Sequence, residues 1–304
     1  MAKKKKKTKV DRYVDALHRI DNKTVIVTGA NSGLGFEIAR IALLKGAKVI
    51  MACRSIERAQ SAKDDLIKET GLDNIVIEQY DQHDGKSIVA FSQTIKEKYS
   101  DFYALILNAG ILMPTEIVDE FHVSNVYRTN FIGSLILLKN LKDHLEQSEI
   151  ERRIIFQGSV AAYFSKYNKD RFIYGQDKPF KQYNLSKLCI TNLYAHYRDN
   201  NNNPYVKYLL CEPGIAFTNI FRNFKKWFKK ISFTFLKHFG ASAREGSLTA
   251  CKLMCDTAAN GDYYRPRGLF TAKGLPKKSE LKSKYIKEQI ISDGEEVAKI
   301  YESK

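Results

Sequence analysis

The sequence predicts an α/β fold built on a doubly wound parallel sheet. Two patterns predict it. Short apolar runs alternate with helical patterns about every 25 residues, and turns of glycine or polar residues follow the runs. The length of 304 residues suits one large α/β domain or two small ones, and we predict a single domain.

The first strand and the turn after it form the most informative stretch. Residues 24–27 (Thr-Val-Ile-Val) predict the strand, the turn has the spacing Gly29-x-x-x-Gly33-x-Gly35, and a helical pattern follows at once. The start of a helix presents unpaired N–H groups and the positive end of its dipole, and glycine lets a phosphate approach the backbone. The arrangement predicts a nucleotide-binding turn, with an ordinary surface turn as the alternative.

The end of the second strand, predicted over residues 48–53, bears on which dinucleotide is bound. An acidic residue there commonly binds the ribose hydroxyls of NAD, whereas an arginine accommodates the 2′-phosphate of NADP. Cys53 stands in place of the acid, and Arg54 follows it. Because a guanidinium binds phosphate well, the sequence favours NADP(H) over NAD(H). A solvent-facing arginine on a loop is the alternative.

Four more strands are predicted, over residues 75–80, 103–107, 154–157 and 208–211. In such a sheet, ligands bind beyond the carboxyl ends of the strands. The polar or small residues that follow these strands are therefore candidates for the site: Asp81, Asn108, Ala109, Gly110 and Ser159.

Three further features are predicted on helices. Asn130 lies in an apolar helical stretch, residues 118–145, where an unbonded amide is costly. Tyr183 and Lys187 are four residues apart and share one helix face, although with 17 tyrosines such pairs also arise by chance. Residues 222–239 carry phenylalanines on one face and lysines on the other, which predicts a basic amphipathic helix.

The composition narrows the class of protein. Five scattered cysteines fit free thiols in a reducing compartment, and no metal site is predicted. No apolar run reaches the roughly 18–20 residues of a membrane-spanning helix, and no signal peptide is predicted. The net charge of +16 is compatible with binding to nucleic acid, to an anionic membrane or to anionic ligands, and a solvated lysine-rich surface is the alternative; no nucleic-acid-binding motif is present. We expect a cytoplasmic protein, peripheral to a membrane at most.

Three segments are predicted along the chain. Residues 1–19 form a polybasic N-terminal extension, residues 20–275 form the catalytic domain, and residues 276–304 form a charged C-terminal tail. Short helices are predicted over residues 12–22 and 286–301.

Over about residues 20–275 the chain resembles the short-chain dehydrogenase/reductases, which have a Rossmann-type fold. The resemblance rests on an ordered set of motifs: Thr28-Gly29-x-x-x-Gly33-x-Gly35, Asn108-Ala109-Gly110, Asn130, Ser159, Tyr183-x-x-x-Lys187, and Pro213-Gly214 with Thr218. Each motif is weak alone, but the ordered set is specific. The amino-acid sequences of three segments are most similar to the retinol-dehydrogenase-like branch: the glycine turn, Ala52–Ser55 and Tyr183–Leu188.

The resemblance implies an enzyme that interconverts a ketone or aldehyde and an alcohol, with NADP(H) as cofactor and a lipophilic small molecule as substrate. It implies four catalytic residues: Ser159, Tyr183, Lys187 and Asn130. It implies that the cofactor is bound by Thr28, Gly29, Asn31, Ser32, Gly33, Leu34, Gly35, Arg54, Asp81, Gln82, Asn108, Ala109, Gly110, Tyr183, Lys187, Pro213, Gly214 and Thr218. The helix over residues 222–239 falls where the family has its substrate lid. Contact with an anionic membrane and an ordinary core-facing helix are the two alternatives.

In this family the tyrosine is the general acid/base. A free phenol has a pKa of about 10, and a lysine ammonium about 4 Å away would lower it by roughly 3 units at an effective dielectric constant of about 20. We therefore expect Lys187 to lower the pKa of Tyr183 and to hold the nicotinamide ribose. Ser159 would bind the substrate carbonyl, and Asn130 would position a relay water. A non-catalytic NADP-binding or membrane-associated scaffold is the alternative function, and assembly into a homo-oligomer is left open.

Overall fold

The computed structural model describes residues 6–215 and 240–302. Within them, eight strands form one sheet in the order β3-β2-β1-β4-β5-β6-β7-β8, parallel except for the antiparallel β8. The strands are β1 Thr24–Thr28, β2 Lys48–Cys53, β3 Ile75–Gln79, β4 Ala104–Leu107, β5 Arg152–Gln157, β6 Val206–Cys211, β7 Tyr263–Pro266 and β8 Pro276–Ser279. The predicted doubly wound sheet and its six predicted strands are confirmed, and β7 and β8 extend the sheet.

Helices cover both faces of the sheet. They are α1 Lys9–Ala16, α2 Gly33–Leu44, α3 Ile56–Thr70, α4 Gly85–Lys98, α5 Asn125–Tyr127, α6 Gly133–Glu146, α7 Lys169–Ile173, α8 Pro179–Asp199, α9 Ala243–Gly246, α10 Leu248–Cys255 and α11 Glu288–Glu302. Helices α2, α3 and α10 bury one face, and α4, α6, α8 and α11 bury the other. Successive β1 residues alternate between these two cores, with Val25 and Val27 in one and Ile26 in the other.

The helix predicted over residues 118–145 is wrong in its first turns. Residues 118 and 124 instead form an isolated β-bridge. The Asp119 carboxylate accepts hydrogen bonds from the backbone N–H groups of Phe121 and Val123, which stabilises a turn in place of a helix. The helix begins at α5 and passes through a π-helical turn, Arg128–Ile132, before α6. Asn130 lies in this π turn, a deviation that is frequent at functional sites.

The N-terminal helix lies earlier than its predicted span of 12–22. Thr8 and Asp11 form a reciprocal capping box that starts the helix at Lys9, and the backbone is extended by Leu17. Leu17 is buried against the domain. The ammonium of Lys45 donates to the carbonyls of Asp15 and Leu17, so it supplies hydrogen bonds to carbonyl groups that the end of α1 leaves unpaired. Residues from Lys9 onward are therefore packed on the domain, although they fall in the predicted polybasic extension.

The C-terminal helix is confirmed with a small shift, as α11. It buries Ile290, Val297 and Ala298 against the core. The predicted basic helix over residues 222–239 lies outside the described residues, so its role as lid or membrane contact stays a prediction. In the described part of the chain, every helix is too short or too polar to cross a bilayer.

Candidate active site

The glycine turn between β1 and α2 lies at the carboxyl edge of the sheet. Gly29 and Gly33 have φ of 66° and 59°, in the left-handed region that favours glycine. A Cβ on Gly35 would lie 2.4 Å from the carbonyl oxygen of Gly29 and 2.6 Å from Nδ2 of Asn108. Ser32 caps α2 without a side-chain hydrogen bond, so its side chain leaves the first N–H groups of the helix to a ligand. Asn31 and Leu34 lie in the same turn.

The turn is fastened to the end of β4 by two side chains. The hydroxyl of Thr28 donates to the carbonyl of Ile106 at 3.2 Å and accepts the N–H groups of Asn108 and Ala109 at 3.0 Å each. The amide of Asn108 donates back to the carbonyl of Thr28 at 2.9 Å. These bonds hold the loop of Asn108, Ala109 and Gly110 against the glycine turn, as the sequence predicted for a shared edge.

The residues predicted to contact the adenosine half lie at the ends of β2 and β3. The Cys53 thiol is buried and hydrogen-bonded to the backbone of Ala30 and Asn31, and burial raises its pKa to about 11. Arg54 is exposed, and its Nε lies 4.0 Å from the carboxylate of Asp81. A cation next to the glycine turn is thus available to a phosphate, with Asp81 as its partner across the strand ends.

Gln82 follows Asp81 at the end of β3, and its contact with a cofactor stays a prediction. Its side chain is buried, and Nε2 donates to the carbonyl of Thr129 at 2.6 Å. Nε2 also lies 3.4 Å from the carbonyl of Ala109. Gln82 therefore joins the end of β3 to the π turn next to Asn130, and its side chain acts on the site through that turn.

Ser159, Tyr183 and Lys187 are brought together beyond β5. Ser159 follows β5 and caps a short 3-10 helix, Val160–Phe164. Tyr183 and Lys187 lie on α8, and the hydroxyl of Ser159 interacts with that of Tyr183. The ammonium of Lys187 lies 5.8 Å from the centroid of the Tyr183 ring and donates to the carbonyl of Gln157 at 2.8 Å.

We predicted that Lys187 lowers the pKa of Tyr183. For the protein without cofactor this prediction is wrong. Burial raises the pKa of Tyr183 to about 12, and the interaction with the Ser159 hydroxyl offsets only part of this rise. Burial also lowers the pKa of Lys187 to about 8, because an ammonium loses hydration inside the protein. Tyr183 is therefore a neutral hydrogen-bond donor at pH 7.

Asn130 is held by the loop after β4. Its Oδ1 accepts the N–H of Ile111 at 2.7 Å, and its Nδ2 donates to the carbonyl of Ile111 at 2.8 Å and to the hydroxyl of Ser186 at 2.9 Å. Both amide hydrogens are used, so only the oxygen has a lone pair left for a relay water. The side chain joins the Gly110 loop to α8 between Tyr183 and Lys187.

The loop after β6 completes the edge. Pro213 is buried, and Gly214 has φ of 74°. A Cβ on Gly214 would lie 2.3 Å from the carbonyl oxygen of Ala272, so only glycine fits. Thr218 lies outside the described residues, and its contact with the cofactor stays a prediction.

Sequence spacing alone does not single out Tyr183. Tyr174 and Lys178 have the same separation of four residues. In the structure Tyr174 ends α7 and Lys178 precedes α8, so they do not share a helix, and Tyr174 is half exposed. The geometry with Ser159 therefore distinguishes the two pairs.

One buried acid next to the site was missed. Glu212 follows β6 directly, is fully buried, and has no hydrogen bond of standard geometry to its carboxyl oxygens among the described residues. The hydroxyls of Tyr163 and Tyr263 still interact with the carboxyl, and burial, the larger effect, raises the pKa of Glu212. Tyr163 belongs to the turn that Ser159 caps. A charged residue at the end of an apolar strand was the only signal in the sequence.

The glycine turn fits a dinucleotide pyrophosphate on its own geometry. A cradle that a single Cβ would fill, an uncapped helix start and an adjacent exposed arginine are the features that such a group needs. Among residues 6–215 and 240–302, no group of three or more His, Cys, Asp or Glu side chains is arranged to hold a metal ion.

Comparison with known proteins agrees with this arrangement. The family model for short chain dehydrogenases matches residues 23–228. The WW domain-containing oxidoreductase of Gallus gallus is 28% identical over 250 residues, which cover 79% of this chain and 59% of that protein. Retinol dehydrogenase 12 of Mus musculus is 28% identical over 217 residues, which cover 67% of this chain and 65% of that protein. The chain thus matches about two-thirds or less of the length of these two relatives.

Solved structures share the fold at low identity. A short chain dehydrogenase from Shigella flexneri, solved in complex with NADP, superposes with a TM-score of 0.58 and 18% identity, covering 78% of this chain and 92% of that one. Because the family match spans more than half of the sequence, the protein belongs to the short-chain dehydrogenase family, with retinol dehydrogenases among its relatives.

Proposed function

We propose that the protein is an NADP(H)-dependent oxidoreductase that interconverts a carbonyl compound and an alcohol, with Tyr183 as proton donor and acceptor. One observation carries the proposal. The neighbouring hydroxyls of Ser159 and Tyr183 lie at the same sheet edge as the glycine turn, so both are available as donors to a carbonyl oxygen bound at that edge. A bound NADPH would supply the hydride.

The neutral Tyr183 suits the reductive direction. As negative charge develops on the carbonyl oxygen, the hydroxyls of Ser159 and Tyr183 both donate to it, and Tyr183 then transfers its proton. A phenol with a pKa of about 12 is still a far stronger acid than an aliphatic alcohol, so this transfer is favourable. Ser159 remains to stabilise the phenolate until it is protonated again.

Lys187 has two roles in this proposal. Its ammonium lies 5.8 Å from the Tyr183 ring, so it favours the phenolate that forms after proton transfer. With a pKa of about 8, it also exchanges protons readily near neutral pH. The remaining lone pair of Asn130 Oδ1 would accept a hydrogen bond from a water molecule. This water would lie on the path by which a proton returns to Lys187.

The preference for NADP(H) is supported by Arg54. Arg54 is the charged residue that directly follows β2, and the position of the usual acid is taken by the buried Cys53. A 2′-phosphate would offer this guanidinium a stronger partner than Asp81 does at 4.0 Å.

A lipophilic substrate is supported by apolar side chains around the edge. Phe164, at the end of the turn that Ser159 caps, is 78% exposed, and Leu269, in the turn after β7, is 79% exposed. Phe180 and Ile215 flank Tyr183 and Gly214 along the chain and are also exposed. Large exposed apolar groups on several segments that adjoin site residues in the sequence favour an apolar ligand.

A cofactor-oxidation screen tests the proposed function. Aliphatic aldehydes, lipophilic ketones and all-trans-retinal would be supplied with NADPH, and its absorbance followed for the wild-type protein and Tyr183→Phe. We expect turnover of at least one lipophilic carbonyl by the wild type and none by the variant, while both bind NADPH equally in a fluorescence titration. Equal turnover by the variant would contradict the role of Tyr183. NADPH binding without turnover of any carbonyl would favour the non-catalytic scaffold.

A further inference from the structure

The C-terminal helix α11 lies outside the part of the chain that matches the family, which ends at residue 228. It nevertheless contacts the segment that joins the two main catalytic groups. We define the connecting segment as residues 165–178, between the turn that Ser159 caps and the helix that carries Tyr183. Contacts between this segment and α11 bear on where Ser159 and Tyr183 lie relative to the substrate.

A buried carboxylate on α11 holds the connecting segment. Asp293 accepts a hydrogen bond from the Tyr167 hydroxyl at 2.7 Å and lies 3.1 Å from the ammonium of Lys169. Its side chain is only 7% exposed, so the carboxylate is shielded from water, whereas the Lys169 side chain is 35% exposed. Glu296, one turn later, contacts the same ammonium at 2.9 Å, but its side chain is 70% exposed.

An aromatic column connects the same segment to the π turn. Tyr167 packs edge-on against Phe172, and Phe172 packs edge-on against Tyr127, with ring centroids 6.4 and 4.8 Å apart. Tyr127 packs at a tilt against Phe131, with centroids 5.3 Å apart. Phe131 follows Asn130 directly in the sequence. Such pairs position one another through their preferred geometries.

The column ends on α11, which closes a ring of contacts. A Cβ on Gly294 would lie 2.5 Å from Cε1 of Phe131, so the helix backbone approaches the ring as closely as it can. Gly294 is the residue after Asp293. The ring therefore runs from α11 through the connecting segment to the π turn and back to α11.

We propose that Asp293 and Tyr167 are positioning residues for the active site. By holding the connecting segment against the π turn, they fix the spacing between Ser159, Tyr183 and Asn130 and so determine the affinity for the carbonyl substrate. The helix α11 is then a functional part of the site and not an appended tail. This inference rests on the proposed function for its kinetic consequence, but its structural consequence can be measured without turnover.

Limited proteolysis measures the structural consequence. The connecting segment holds three trypsin sites, after Lys166, Lys169 and Arg171. We expect Asp293→Ala to raise cleavage at these sites about tenfold, equivalent to about 1.4 kcal/mol of local opening. Glu296→Ala is the matched control, because it removes the exposed partner of the same lysine, and its cleavage rate should stay near that of the wild type. Equal cleavage of Asp293→Ala and the wild type would overturn the proposal.

Two further variants keep the test decisive should Asp293→Ala fold poorly. Tyr167→Phe removes only the hydroxyl that donates to Asp293, and it should raise cleavage in the connecting segment as well. Asp293→Asn keeps an acceptor for Tyr167 and should restore most of the protection. Unchanged cleavage in Tyr167→Phe would also overturn the proposal.

Steady-state kinetics with NADPH and all-trans-retinal, or the best aldehyde of the screen, measure the functional consequence. We expect Tyr167→Phe and Asp293→Ala to raise KM for the carbonyl about tenfold, with the Kd of NADPH unchanged. An unchanged KM in both variants would overturn the inference, whereas turnover by Tyr183→Phe would overturn the proposed function. If no carbonyl is turned over, the proteolysis result alone decides whether Asp293 holds the segment.

Discussion

The cofactor half and the substrate half of this active site are stabilised in different ways. The cofactor half comprises β1–β4 and the turns that follow them, and it is held by backbone fit and by bonds between neighbouring strands, such as those of Thr28 with the loop of Asn108. The substrate half comprises β5–β8, the connecting segment and α11, and it depends on side chains far apart in the sequence. Tyr167 and Asp293 are separated by 126 residues.

This difference predicts different effects of substitution. In the cofactor half, a change should act by filling space that a ligand or backbone needs. In the substrate half, it should act by releasing one segment from another or by changing a buried charge. Each of the following predictions tests one side of this contrast.

Lys187→Met should have the largest effect on the reaction. We expect turnover to fall by about 10²–10⁴-fold. The variant removes the cation next to the Tyr183 phenol, and it also removes the group that exchanges protons there. Initial rates with saturating NADPH and carbonyl check this. A loss of less than threefold would contradict the assigned role.

The same variant should respond to pH in a characteristic way. Burial lowers the pKa of Lys187 from 10.5 to about 8, so the folded protein is destabilised by the buried charge below pH 8. This penalty fades as pH rises from 8 toward 10.5. The melting temperature of Lys187→Met relative to the wild type should therefore be highest near pH 7 and decline above pH 8. A difference that is independent of pH would contradict the burial of a charged ammonium.

Gly35→Ala should have the next largest effect and acts on the cofactor half. The added Cβ would displace the glycine turn, since the carbonyl of Gly29 would lie 2.4 Å away. We expect the Kd of NADPH to rise about 10–100-fold, in line with the cost of overpacking. Gly71→Ala is the control, because Gly71 also has a positive φ but nothing lies within 4 Å of its added Cβ. It should lose stability without losing affinity for NADPH.

Arg54→Ala should change the choice of cofactor. We expect the Kd of NADPH to rise about tenfold or more, because a charge-assisted bond to phosphate is lost, while the Kd of NADH changes little. Arg12→Ala, an exposed arginine on α1, serves as the control for total charge. An equal loss of affinity for NADPH and NADH would show that Arg54 does not bind the 2′-phosphate.

Glu212→Gln should have the smallest effect, and it acts in the substrate half. Burial raises the pKa of Glu212 above its usual 4.5. The buried carboxyl therefore costs no folding stability below about pH 4.5, and the loss of stability grows as pH rises from 4.5 to the pKa of the folded state. The glutamine variant lacks this penalty. Its melting temperature relative to the wild type should be higher at pH 8 than at pH 4, and the reverse order would contradict a neutral buried carboxyl.

The contrast also explains how far the sequence could be interpreted. The strand and glycine turn at Gly29–Gly35 were predictable because local chain geometry alone requires glycine there. The role of α11 was not predictable from the sequence. Its residues have the composition of a charged tail, and only the fold brings Asp293 to Tyr167. The pKa of Tyr183 was predicted in the wrong direction, because spacing shows the lysine but not the burial of the phenol. Tyr174 and Lys178 show the same limit, since spacing without tertiary placement does not identify a catalytic pair.

Isotope transfer tests the central role of Tyr183 most directly. NADPH carrying deuterium at the transferable position of its nicotinamide ring would be incubated with the carbonyl compound, and the alcohol analysed by mass spectrometry. We expect one deuterium on the carbinol carbon with the wild-type protein, and no labelled alcohol with Tyr183→Phe although that variant binds NADPH with an unchanged Kd. Labelled alcohol formed by Tyr183→Phe at the wild-type rate, or wild-type product without deuterium, would contradict the account.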